Sequence, residues 1–222
     1  MLGTTCVLVE CEATGCATAG SGFRTSGEGG TLYACYALDN TVSGIVTANF
    51  TTCVFCVSES NSGASSYGFS DASTATGIFL HCTAYNNGSD GFHFSTAFGR
   101  NQTAINCVSD SNTGYGYNAS GSNSSVQLIN CAHRNNTGGS VHSNITISQG
   151  AVTLTGAPFA DAAGGDFRPN STAGAGADLR DAAYPTTLPG STTTWRLDIG
   201  GAQHDDPAGG TPTYTRSRVV NG

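Results

Sequence analysis

The strongest constraint on this chain is a cysteine that recurs together with its surroundings. LYACYALDN (32–40), VFCVSESN (54–61), FLHCTAYNN (79–87), AINCVSDSN (104–112) and LINCAHRNN (128–136) are versions of one segment. With Cys11 as a weaker first copy, the aligned residues are Cys11, Cys35, Cys56, Cys82, Cys107 and Cys131, spaced by 24, 21, 26, 25 and 24 residues. A period of this length implies stacked units, each burying the next. Two residues before the cysteine stand Val9, Tyr33, Val54, Leu80, Ile105 and Ile129. Two residues after it stand Ala13, Ala37, Ser58, Ala84, Ser109 and His133. Mostly apolar or small residues in alternation with mixed ones read as a half-buried strand with the cysteine facing inward.

Five residues past the cysteine come Asn40, Asn61, Asn87, Asn112 and Asn136, with Cys16 in the first copy. Asn tolerates left-handed backbone, so the repeat predicts a tight corner there. Stacked Asn side chains can also bond to one another along the axis. Gly22-Phe23, Gly44-Ile45, Gly68-Phe69, Gly91-Phe92 and Gly116-Tyr117 then read as a second turn and the first inward residue of another strand. The predicted fold class is all-β: a right-handed parallel β-helix solenoid of about six to seven rungs over residues 1–156, with a non-repeating C-terminal cap over 157–204 and an extended tail over 205–222. No element covering the first rung is written in the sequence, so that cover is expected to be missing or supplied by a partner.

Over residues 7–154 these motifs resemble the right-handed parallel β-helix repeat proteins of the pectate-lyase-like superfamily. Further on, GDFRP (165–169), GADLRDA (176–182) and LDIGGAQ (197–203) resemble the closing motifs of bacterial and phage β-helix proteins. Those end in a GDFR-type strand, a segment close to SPAIDAG and a DIGA strand. The resemblance implies a C-terminal cap in which Asp198 and Arg196 form salt bridges. It does not imply one activity, because the superfamily includes lyases, hydrolases, adhesins and phage tailspikes.

The net charge is −7 and all eight basic residues are arginines. Nucleic-acid binding needs a basic stripe, so that partner is not expected. No apolar run approaches the ~20 residues of a membrane span, and residues 1–10 do not read as a signal peptide. The six aligned cysteines read as an interior column of free thiols rather than disulfides. Cys6, Cys16 and Cys53 fall outside that column. Cys53-Val-Phe-Cys56 has metal-like spacing, but no second pair follows and no metal site is expected. Nor does any cofactor fingerprint stand out.

Three residues past the cysteine, Glu59, Tyr85, Asp110 and Arg134 would form one outward column if the rungs stack in register. Glu59 and Asp110 would then lie two rungs apart, ~9.6 Å between backbones. Inverting glycosidases separate their carboxyls by roughly 6.5–9.5 Å. Tyr85 and Arg134 could bind sugar, with His81 beside the column. The plainer alternative is an exposed Asp110–Arg134 ion pair and a surface tyrosine. His133 reads as a hydrogen-bonded inward residue. Calcium-dependent lyase chemistry would need an acidic cluster, and none is written. The long return could also draw Asp90, His93 and Asp110 together.

Two functions follow as expectations. The first is a structural or adhesive module of a virion or extracellular surface, such as a tail fibre, tailspike or capsid decoration. It would face a surface polysaccharide and assemble through its ends or tail with itself or another structural subunit. The second is a polysaccharide depolymerase using Glu59 and Asp110.

Overall fold

The computed structural model describes residues 6–17, 20–26, 29–71, 76–95, 101–121, 125–145, 147–184 and 197–204. The tail 205–222 and Arg196 lie outside the described residues. The first turn holds strands β1 (Cys6–Val9), β2 (Glu12–Thr14) and β3 (Phe23–Arg24). The triplet then repeats as β4 (Gly30–Tyr33), β5 (Tyr36–Leu38) and β6 (Ile45–Thr47), and as β7 (Thr51–Val54), β8 (Val57–Glu59) and β9 (Phe69–Asp71). Next come β10 (Gly77–Leu80), β11 (Thr83–Tyr85) and β12 (Phe92–Phe94), and β13 (Asn101–Ile105), β14 (Val108–Asp110) and β15 (Tyr115–Ala119). The solenoid ends with β16 (Ser125–Ile129), β17 (Ala132–Arg134) and β18 (Gly139–Val141), then β19 (Ile147–Gln149) and β20 (Val152–Thr153).

Every third strand pairs in parallel, giving a first sheet of seven strands from β1 to β19, a second of seven from β2 to β20 and a third of six from β3 to β18. This is the predicted all-β parallel solenoid. About five turns are fully formed, fewer than the six to seven expected, because the first and last turns are thin and exposed.

The core is built from columns of equivalent residues. Cys35, Cys56, Cys82, Cys107 and Cys131 are buried, free and stacked, as predicted. Burial pushes the Cys82 and Cys131 thiols up, which suits inert packing groups. Phe69, Phe92 and Tyr117 stack face to face at 4.8 and 5.0 Å between ring centroids. The asparagines form a continuous buried ladder. Asn40 Nδ2 donates to Asn61 Oδ1 at 2.9 Å, and the pattern repeats from Asn61 to Asn87 at 2.8 Å, Asn87 to Asn112 at 2.9 Å and Asn112 to Asn136 at 2.9 Å.

Three sequence expectations need correction. The segment read as one cysteine strand is two short strands, broken immediately before the cysteine. Ala34, Phe55, His81, Asn106 and Asn130 there all have φ of 50–55°, a left-handed corner. Because of that break, Tyr33, Val54, Leu80, Ile105 and Ile129 do not share the cysteines' inner face. Instead Leu32, Cys53, Phe79, Ala104 and Leu128 point inward. Cys53 is therefore a core residue. The other left-handed corner falls on Asp39, Ser60, Asn86, Ser111 and Asn135, one position before the ladder asparagines.

The third correction concerns the C-terminal segment. A hairpin of β21 (Phe159–Asp161) and β22 (Asp166–Pro169) opens it. The segment's described residues fold back along the outer face of the second sheet rather than over the end of the helix. Phe159, Phe167, Leu179 and Ile199 pack there in a second core with Tyr36, Leu38, Val57, Val108 and Ala132. The backbone N–H of Gly200 donates to the Asn106 carbonyl, and that of Gly201 to Thr83 Oγ1, sewing the segment to the middle rungs.

Candidate functional site

The column Glu59–Tyr85–Asp110–Arg134 is in register, as the spacing predicted. It does not face solvent, because the C-terminal segment lies over it. Glu59 is 6% exposed and Asp110 1%. Tyr85 packs edge-on against Phe159 and Phe167, with centroids at 6.0 and 5.5 Å, so its ring stacks on the chain's own residues. Arg134 Nε lies 3.3 Å from Asp110 Oδ1, and Ser111 Oγ donates to the same oxygen at 2.9 Å. Burial nevertheless holds the Asp110 carboxyl above its ordinary value, against the pull of Arg134. The expected exposed ion pair is thus a covered one.

His81 is a staple rather than a ligand group. Its Nδ1 lies 2.9 Å from the Asp198 carbonyl oxygen, and Asn106 Nδ2 lies 3.2 Å from its Nε2. These contacts fit a neutral ring with the proton on Nδ1, and burial lowers its pKa. His133 is inward, 3.4 Å from Thr153 Oγ1, as expected. Asp198 is buried and organises the end of the cover, accepting from the backbone N–H groups of Asp181 and His204 and from His204 Nδ1.

With the second sheet covered, the outward side of the third sheet is where polar and aromatic groups converge. Successive Gly-aromatic motifs place Ser70, His93 and Asn118 on one outward column. Tyr67, Asp90 and Tyr115 form the neighbouring column, one residue before each glycine. Asp90 and His93 do come together, as the sequence allowed, with His93 Nδ1 2.8 Å from Asp90 Oδ2. Asp110 is elsewhere, on the second sheet.

Asp90 is 4% exposed and fully engaged. Beyond His93 it accepts from Asn118 Nδ2 and from the Tyr115 backbone N–H, both at 2.8 Å. Burial opposes its ionisation, but these three hydrogen bonds outweigh burial and hold its carboxyl below the ordinary range. The His93 ring lies nearly flat on Tyr67, centroids 4.1 Å apart at 19°. Two rungs on, Tyr115 meets His142 edge-on at 4.9 Å. A tyrosine–histidine contact thus repeats along the face, spaced by ~9.6 Å. A buried carboxylate orienting an imidazole is also how a general base is held. Here Ser70 flanks His93 in register without a described hydrogen bond to it, so no nucleophile is paired with the imidazole.

The geometry defines a class, a parallel β-solenoid with a self-covered second sheet and, among the described residues, a half-exposed polar and aromatic strip on its third. Compared with known proteins, the chain matches no family model, no curated protein and no solved structure. Among the described residues, no helix is long and apolar enough to cross a membrane.

Proposed function

We propose that this chain is a non-enzymatic β-helix module of an extracellular or virion surface, and that it holds a surface polysaccharide along its third sheet. Kinship with the pectate-lyase-like β-helix proteins is part of this reading. One observation carries it: the carboxylate column that could have cut a glycan lies under the chain's own C-terminal segment, while the strip of Tyr67, His93, Asn118, Tyr115 and His142 is half-exposed, with none of the other described residues over it. Half-exposed aromatic edges beside fixed hydrogen-bonding groups suit the mixed apolar and hydroxyl faces of sugar rings.

The test is incubation with a panel of bacterial and algal polysaccharides, following both bound protein and new chain ends. Binding without new ends is expected, weakened at least tenfold by His93→Ala or Tyr67→Ala. Cleavage that disappears in Glu59→Gln or Asp110→Asn would overturn the reading in favour of a depolymerase.

A further inference from the structure

The strip on the third sheet has a period of its own. Its outward column runs Val46, Ser70, His93 and Asn118 in register, and the pairing of Tyr117 with Val141 puts His142 next in line. The neighbouring column runs Ser43, Tyr67, Asp90 and Tyr115, whose carbonyls accept from the backbone N–H groups of Gly22, Gly44, Gly68 and Gly91. Tyrosine and histidine meet diagonally, Tyr67 with His93 on the next rung and Tyr115 with His142 on the next. The two pairs therefore recur two rungs apart, at ~9.6 Å. Between them lies Asn118, whose Nδ2 donates to Asp90 Oδ2 at 2.8 Å. That bond turns the amide oxygen of Asn118 away from Asp90 as an acceptor. From Ser43 to His142 the two columns contain no arginine, and their one carboxylate, Asp90, is buried.

We infer that the ligand of this strip is an uncharged glycan whose pyranose rings are joined 1→4 through equatorial bonds, lying along the solenoid axis at about one sugar per rung. This rests on the reading of the strip as the face that holds a polysaccharide, and it narrows that ligand to one linkage geometry. Equatorial bonds at both ends of a ring extend the chain into a flat ribbon. They also turn each ring over relative to the last, so every second sugar shows the same face. The Tyr67–His93 and Tyr115–His142 pairs recur at every second rung and so meet like faces of such a ribbon. The sugar between them meets Asn118. An axially 1→4-linked chain winds instead, and loses this register after the first pair. A polyuronate finds no guanidinium along the strip and is repelled by a chain of net charge −7. Tyr67 to His142 covers the four rungs of β9, β12, β15 and β18. About four sugars then fill the strip, a disaccharide fills one pair, and linking the two pairs through one chain raises affinity steeply.

Calorimetric titration of the full chain with cellohexaose, chitohexaose, maltohexaose and a β-1,4-linked mannuronate hexamer tests this, with cellobiose and chitobiose as length controls. At least one of the two neutral, equatorially linked hexasaccharides is expected to bind. It should bind at least tenfold more tightly than its own disaccharide, than maltohexaose and than the mannuronate hexamer. Tyr115→Ala should lower the hexasaccharide to the affinity of the disaccharide. The disaccharide still has the Tyr67–His93 pair and should stay within about twofold of its wild-type affinity. Maltohexaose or the mannuronate hexamer binding as tightly as the neutral equatorial chains overturns the linkage assignment. So does a hexasaccharide no tighter than its disaccharide, or full hexasaccharide affinity in a folded Tyr115→Ala chain. Binding of a panel polysaccharide through Tyr67 and His93 without binding of either neutral hexasaccharide overturns the linkage assignment alone and leaves the proposed function standing. No binding of any glycan overturns both.

Discussion

His93 Nδ1 sits 2.8 Å from Asp90 Oδ2, and the same oxygen accepts from Asn118 Nδ2 on the next strand at 2.8 Å. One buried carboxylate therefore sets the orientation of two neighbouring outward side chains. Asp90→Asn keeps the shape but loses the charge and turns a donor toward these donors. It should cost ~1–3 kcal/mol at pH 7 and weaken polysaccharide binding as His93→Ala does. The sign of its pH dependence follows from a lowered native pKa. The stabilisation is complete above the ordinary carboxylate range and disappears as pH falls through the native value. Urea unfolding of both chains at pH 7 and pH 3 checks this, the gap between them narrowing at the lower pH.

Asp71 behaves in the opposite sense. It lies on β9, 7% exposed, and its Oδ1 accepts from the Ser95 backbone N–H while Oδ2 is buried without a partner. Burial raises its carboxyl from 3.8 to about 7, against that backbone hydrogen bond and the nearby His93. The native chain then holds a proton that the unfolded chain releases. Stability from this group is full below the unfolded value, declines as pH rises and reaches its floor above about 7. A gap of about three pH units at ~1.4 kcal/mol each amounts to a few kcal/mol, on the order of 4. Asp71→Asn keeps an acceptor for Ser95 and ends the titration. It should be more stable than the wild type at pH 8 and nearly equal to it at pH 4. Thermal unfolding of the two chains across that range reads the difference directly.

Thiol reactivity separates the core from the first turn. Cys35, Cys53, Cys56, Cys82, Cys107 and Cys131 are buried, whereas Cys6 is exposed and Cys11 and Cys16 are half-buried. A disulfide-exchange reagent under native conditions should titrate at most three thiols quickly. The other six should react only at the rate of global opening and appear together in denaturant. Fast reaction of more than three would mean that the cysteine column is not packed as described.

The columns were legible in the sequence because a solenoid writes each inward position many times. Cysteine, asparagine and the Gly-aromatic pair each recur at one place in the rung. The corner before the cysteine was not legible, because Ala34, Phe55 and His81 carry no turn signature and only Asn106 and Asn130 do. Missing it put Leu80 and its equivalents on the wrong side. The covered face does carry a signal in the sequence. Tyr36, Val57, Val108 and Ala132 are largely apolar on the side of the second sheet opposite the cysteines, and a sheet apolar on both faces is covered on both. The tyrosine–histidine strip appears only when rungs are aligned on the glycine, because the return between Asn and Gly varies in length, as from Asn61 to Gly68 and from Asn87 to Gly91.

Phe167 is the residue on which the cover should depend most. It is 3% exposed, with its ring 5.1 Å from Phe159, 5.5 Å from Tyr85 and 6.3 Å from Tyr36. It joins the hairpin to two different rungs. Phe167→Ala should cost ~3–5 kcal/mol of the cover's attachment. The loss should fall unevenly, because the rungs keep their cysteine, aromatic and asparagine columns while the described segment keeps Phe159, Leu179, Ile199 and a few hydrogen bonds. Brief trypsin treatment should therefore cut the variant after Arg180 well before the rungs are attacked, leaving a solenoid fragment with intact far-ultraviolet dichroism. The same detachment would bare Glu59 and Asp110. Assaying the variant against the polysaccharide panel then separates two roles for the cover. New chain ends from Phe167→Ala alone would make it a lid over a latent active site. Their absence would leave the column as the structural seam that seats the C-terminal segment.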